Sequence, residues 1–187
     1  IIRDARKGAY TAVNYAMVRA YWNIGRLIVE DEQKGKKRAT YGENLLNDLG
    51  QRLADEFGRG FSSTNLKNFR KFFLAFPDGC QDGDIPVARK GYTVCAELSW
   101  SHYRLLMRVV NPAARGYYIG ESISQNWSVR ALERQIGSLH FERLIASRDR
   151  DAVVTEAKKK TQPLTGCPED FIRDPYVLEF LKIPASS

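Results

Sequence analysis

Two stretches of this chain, 66 residues apart, open a helix in the same way: Phe61-Ser62-Ser63-Thr64-Asn65-Leu66 and Trp127-Ser128-Val129-Arg130-Ala131-Leu132. In each, a Ser can cap the helix by accepting from the N–H groups of the first turn. The aromatic before it and the Leu after it stand where a hydrophobic staple fixes the entry angle of the chain. Leu98-Ser99-Trp100-Ser101-His102-Tyr103 repeats the pattern with Ser99 as cap. A chain with such starts, each followed by apolar residues at steps of three and four, is confined to packing helix on helix.

The periodicity supplies the rest of the helices. Tyr10, Val13, Met17, Tyr21, Ile24 and Ile28 mark one face of a long helix over about residues 3–33, widened by Trp22. Lys34-Gly35-Lys36-Lys37-Arg38 breaks it, either as a phosphate-touching loop or as a solvated loop at a helix C-terminus, where cations are favourable anyway. A second helix over 40–57 has Leu45, Leu46, Leu49, Leu53 and Phe57 on its apolar face and ends at Gly58-Arg59-Gly60. The helix opened by Ser62 packs Leu66, Phe69, Phe73 and Phe76 and closes at Pro77-Asp78-Gly79. Residues 78–97 read as an irregular connection. Two short strands turning at Arg89-Lys90-Gly91 would make a β-hairpin wing there, and a plain variable loop fits as well. The helix after Ser99 continues through Leu105, Leu106, Val109 and Val110, and Pro112 opens the next, to about Gln125. The helix after Ser128 has Leu132, Ile136 and Leu139 inside and runs on through Phe141 and Leu144.

The expected fold class is therefore mostly α: a helical domain over 1–147 holding two helix-turn-helix-like units. Residues 148–173 read as a charged linker. At 174–187, Asp174-Pro175-Tyr176-Val177-Leu178 starts a new helix with too little chain after it to build a core. Both ends read as cuts in a longer protein. No apolar run is long enough for a membrane span or a signal-peptide core, so a cytoplasmic location is the expectation.

The formal charge of +7 is unevenly placed: residues 1–39 hold nine basic and four acidic side chains. That balance is compatible with nucleic acid without requiring it. The three Cys and two His lack the spacing of a zinc site or a disulfide framework, so idle thiols are expected. Ser101, His102 and Arg104 beside Trp100 suggest acid–base chemistry, but no carboxylate stands at a predictable distance. Trp100 reads better as core and His102 as a polar residue of a first helical turn. Glu156-Ala157-Lys158 matches the E-x-K piece of a metal-dependent nuclease site, yet it lies in the charged linker without a strand signal and reads as a chance match. Phosphate-binding glycine loops do not occur.

What remains is recognition. A helix that enters a major groove must be held firmly at its start and must present short polar and cationic side chains outward. Thr64, Lys67, Asn68 and Lys71, with Arg70 on the flank, meet that need on one helix, and Arg130 and Arg134 on the other. Arg59, Arg89 and Lys90 would touch the backbone. An ordinary capped helix with a solvated face is the plainer reading of either helix alone.

Four motifs in order carry a family resemblance: Tyr21-Trp22-Asn23-Ile24-Gly25-Arg26; Tyr41-Gly42 with Glu56-Phe57-Gly58-Arg59-Gly60-Phe61-Ser62; Leu98-Ser99-Trp100-Ser101-His102-Tyr103; and Trp127-Ser128-Val129-Arg130 through Glu142-Arg143-Leu144. Together they resemble the N-terminal domain of the YhcG-type PD-(D/E)XK nuclease family. The resemblance implies a helical, DNA-binding front end followed by a nuclease that uses a divalent metal, Mg being the expected ion. Asp174 to Leu181 looks like the lead into that nuclease domain. The chain stops there, so no catalytic residue, metal ligand or cofactor is carried over. The DNA contacts named above come from helix geometry, not from the family. More distantly, Leu98 to Ile136 is similar to the helix-turn-helix core of ParB-type partition proteins. The implied partner is duplex DNA, with no membrane. The competing expectation is a protein-interaction module that forms a homo-oligomer or binds a partner subunit.

Overall fold

The computed structural model describes residues 1–34, 39–77, 79, 98–147, 155–156 and 175–181, apart from the side chains of 3, 6, 7, 34, 39–45, 59, 175 and 179. The hairpin expected between 78 and 97, and with it Arg89 and Lys90, lies outside the described residues. So do the cationic loop at 35–38 and all three cysteines. Among the described residues every regular element is a helix: α1 (Ile2–Lys34), α2 (Ala39–Phe57), a 3-10 turn (Arg59–Phe61), α3 (Ser63–Ala75), α4 (Trp100–Leu106), α5 (Pro112–Ser124), α6 (Val129–Gly137), α7 (His140–Ala146) and α8 (Pro175–Phe180). The mostly α class follows.

The chain divides into two compact units, Ile1–Trp100 with Phe171–Ser187, and Ser101–Asp170. In the first, α1 lies along α3, and the core is a run of interlocked rings. Tyr21 stacks on Phe69 with centroids 4.1 Å apart and meets the edge of Trp100 at 5.0 Å. Phe72 closes on Trp100 at 5.3 Å. Such pairs add about 1 kcal/mol each beyond their burial. Trp22 Nε1 donates to the Phe76 carbonyl at 2.8 Å and pins the end of α3. Two glycines set how closely the helices approach. A Cβ on Gly25 of α1 would stand 2.1 Å from the Phe69 carbonyl oxygen, and one on Gly50 of α2 would stand 2.7 Å from Ser63 N. α8 docks on α1 and the 3-10 turn. Its Val177 is buried, and Phe180 meets the Tyr21 ring edge-on at 6.3 Å. The segment after 174 thus buries its apolar side on the first unit.

The second unit joins α4 to α7 around Tyr103, Leu106, Tyr118, Trp127 and Leu132. Two expectations fail here. The helix opened at Ser99 ends at Leu106 instead of running to Val110, which is 88% exposed. The cause is the β-branched pair Val109-Val110 running into Asn111-Pro112. A residue before proline is pushed out of the helical region, and Asn111 caps α5 by accepting from Ala113 N at 2.9 Å. Arg115 donates twice to the Val109 carbonyl, at 3.1 and 2.9 Å, and satisfies it. The helix opened at Ser128 likewise stops at Gly137. Leu139, expected inside, takes a left-handed conformation (φ 52°) and is 58% exposed, and α7 starts afresh with His140 buried. Tyr118 secures that start, its hydroxyl accepting from Phe141 N at 3.2 Å.

Candidate functional site

The start of α3 follows a tight turn on the first unit. Gly58 turns the chain out of α2 with φ 101°, a conformation that side chains disfavour. The 3-10 turn follows, and Asn65 Nδ2 reaches back to the Gly60 carbonyl at 3.0 Å. Ser62 occupies the N-cap position, but its side chain makes no cap bond. The close approach of Gly50 to Ser63 and the Asn65 bond hold the turn in its place. Leu66 is fully buried below it.

With Leu66, Phe69 and Phe72 buried, the other side of α3 is turned to solvent. Thr64, Lys67 and Lys71 are exposed and Asn68 is half-buried. At about 100° per residue these four fall within an arc of about 100°. The 13 residues of α3 contain no acid. Arg70, expected on the flank of this face, is committed elsewhere: its Nε donates to Glu32 Oε2 of α1 at 2.7 Å. The pair is half-buried and ties α1 to α3. Sequence reasoning missed Glu32 because 38 residues separate the partners.

On the second unit, α6 is capped as its sequence promised. Ser128 Oγ accepts from Ala131 N at 3.2 Å, and both staple residues, Trp127 and Leu132, are buried. Arg130 and Arg134 are exposed, with Glu133 exposed between them. The turn before α6 is anchored by His102, whose Nε2 lies 3.0 Å from the Trp127 carbonyl. A carbonyl only accepts, so Nε2 carries the proton. Burial lowers the His102 pKa to about 4, the bond to Trp127 opposing the shift in part. His102 is neutral and 1% exposed, which suits a strut rather than an acid or base at a surface. Trp100 is core, as expected. Glu156, the acid of the E-x-K triplet, accepts from Arg143. Among the described residues no group of three His, Cys, Asp or Glu side chains could hold a metal ion, and no helix is long and apolar enough to cross a membrane. The Arg59 side chain, Arg89 and Lys90 lie outside the described residues.

A family model for the DUF1016 N-terminal domain matches residues 1–143. A protein of Escherichia coli (strain K12) named "Putative nuclease YhcG" is 37% identical over 204 aligned residues, covering 98% of this chain and 54% of that protein. The chain therefore spans about half the length of the curated relative it matches. No solved structure matches it.

Proposed function

The chain belongs to the DUF1016 N-terminal domain family, and from that premise we propose that it binds duplex DNA and positions a nuclease carried by the rest of the same protein. The observation that carries this reading is the acid-free outer face of α3, on which Thr64, Lys67, Asn68 and Lys71 converge while the helix start is fixed. α2, the turn and α3 would act as a helix-turn-helix, α3 entering the major groove to set Lys67 and Lys71 on phosphates and Asn68 toward base edges. Arg130 and Arg134 of α6 would supply a second contact, and Arg59, Arg89 and Lys90 further backbone contacts. Arg70 is left out of the set, because Glu32 answers its charge. The name of the Escherichia coli relative supports a nuclease partner. A PD-(D/E)XK domain using Mg, working in the cytoplasm, completes the proposal, with no catalysis in the residues present here.

Fluorescence anisotropy with labelled duplex, single-stranded DNA and RNA across a salt series tests it. We expect duplex binding that weakens steeply with salt. Lys67→Ala should weaken binding to all sequences and reduce the magnitude of the log–log salt slope by about one. Absence of binding at low salt, or Lys67→Ala and Lys71→Ala both unchanged, would refute the reading.

A further inference from the structure

The ring of Tyr21 on α1 is where four parts of the first unit meet. Trp100, at which the chain leaves the unit, stands edge-on to it at 5.0 Å. Phe61 of the 3-10 turn meets it at 6.2 Å, and Phe69 of α3 stacks on it at 4.1 Å. Phe180 of α8, the helix with which the chain comes back, closes on it at 6.3 Å. We propose that α8 is a clamp on the turn between α2 and α3: docked through Val177 and Phe180, it holds the direction of α3 and thereby sets the affinity of that helix for duplex DNA. The last step rests on the DNA-binding reading above, and the hold on the turn does not.

A clamp needs two states, and the length of α8 supplies them. It is six residues long, and a helix that short is marginal in water on its own, so residues 175–180 are helical because they are docked. Val177 is 4% exposed, and Phe180 stands three residues on, on the same side of the helix. α8 packs there against both α1 and the 3-10 turn, and so ties the one to the other. The turn runs straight into α3. Ser62 at the N-cap makes no cap bond, so the direction of α3 depends on what holds the turn. The Asn65 bond to the Gly60 carbonyl ties the turn to α3. Phe61 is only half-buried, its ring meeting Phe57 at 5.8 Å and Phe69 at 6.4 Å besides Tyr21. The ring of Tyr21 thus touches the clamp, the turn and α3 at once.

Residues 175–181 contain one acid, Glu179, and no cation. α8 therefore adds no charged contact to phosphate, and its effect on affinity passes through the turn. Linkage makes that effect reciprocal. If a docked α8 favours DNA on α3, then DNA on α3 favours a docked α8. Whatever draws α8 off the turn weakens the hold of α3 on DNA.

Hydrogen exchange resolved by peptide, together with anisotropy on labelled duplex, tests the clamp in the 187-residue chain. Val177→Asn and Phe180→Ala undock α8 without changing charge. Exchange should quicken over 59–66 in both variants, and the Kd for duplex should rise by about tenfold. The log–log salt slope should stay that of the parent, since no phosphate contact is removed. In the unmodified chain, saturating duplex should slow exchange over 176–181, a readout that needs no variant to fold. Unchanged exchange over 59–66 in both variants, unchanged duplex affinity, or a duplex without effect on 176–181 would overturn the clamp. If the parent binds no duplex, the DNA-binding reading falls, and exchange over 59–66 alone decides whether α8 holds the turn.

Discussion

The two units solve the same packing problem with different chemistry. The first fills its core with rings and with backbone brought to backbone at Gly25 and Gly50. The second threads polar groups through its core: His102, Ser122, Gln135 and His140 are buried, and the Tyr118 hydroxyl accepts from Phe141 N. A core of rings and close backbones is sensitive to volume. A core that buries histidines is sensitive to protons. The difference has measurable consequences, the largest of which is steric.

Gly25→Ala should cost the first unit about 3 kcal/mol or more, since overpacking in a tight core costs up to about that and here the obstacle is backbone. The new Cβ would meet the Phe69 carbonyl oxygen at 2.1 Å and its carbon at 2.7 Å, so α1 and α3 would have to part. Gly116→Ala in α5 is the counterpart in the second unit. Nothing lies within 4 Å of its Cβ, and the exchange should stabilise by about 1 kcal/mol through helix propensity. Hydrogen exchange resolved by peptide reads both: faster exchange over α1 and α3 in the first variant, slower over α5 in the second. If Gly25→Ala left α3 as protected as before, the close-approach account of the first unit would be wrong.

The next contrast is in pH. Both histidines of the chain lie in the second unit, and burial lowers both pKa values, that of His102 to about 4. For His140, Arg143 adds to the lowering and Glu156 opposes it. A group that binds its proton more weakly folded than unfolded favours the unfolded state in acid. The contribution of His102 is therefore complete above its unfolded value near 6.5 and is lost as the pH falls from there toward 4, amounting to about 3 kcal/mol in order of magnitude. Protection over α4 to α7 should fall through this window while the histidine-free first unit is spared that loss. His102→Gln, which keeps a donor for the Trp127 carbonyl, should flatten the slope. Equal acid sensitivity of both units would remove the distinction.

These contrasts also separate what the sequence disclosed from what it withheld. Helix starts were legible at Ser128 and Asn111-Pro112 in different degrees: the Ser and its staple were read in advance, the Asn cap only in part through its proline. The outward set on α3 was legible because packing Leu66, Phe69, Phe73 and Phe76 inward leaves a helix only one other side, although Phe72 is fully buried and Phe73 only half-buried. Contacts between distant residues were not legible. Gly25 stood inside a recognised motif, but that its missing Cβ admits the Phe69 carbonyl depends on how α1 crosses α3. Arg70 was read as a free cation because Glu32 lies on another helix. Apolar periodicity carried the reading past Leu106 and past Gly137, since a repeat of three and four says nothing of a local break. Val109-Val110 before Asn111-Pro112 ended one helix, and the left-handed turn at Leu139 ended the other.

That turn yields the smallest expected effect and the finest test of how the second unit is built. Leu139 holds φ at 52° with more than half of its surface in solvent, so little burial offsets the strain. A side chain in this conformation costs about 1 kcal/mol, and glycine escapes most of it. Leu139→Gly should therefore stabilise the second unit by up to about 1 kcal/mol, offset in part by the greater freedom of glycine in the unfolded chain. It should leave the first unit unchanged. Denaturant unfolding followed by the fluorescence of Trp127, with Trp22 and Trp100 replaced by Phe, isolates the effect. A loss of stability instead would mean that Leu139 is held by packing rather than merely tolerated, and that the break between α6 and α7 is set by Leu139 rather than by Tyr118 capturing the Phe141 amide.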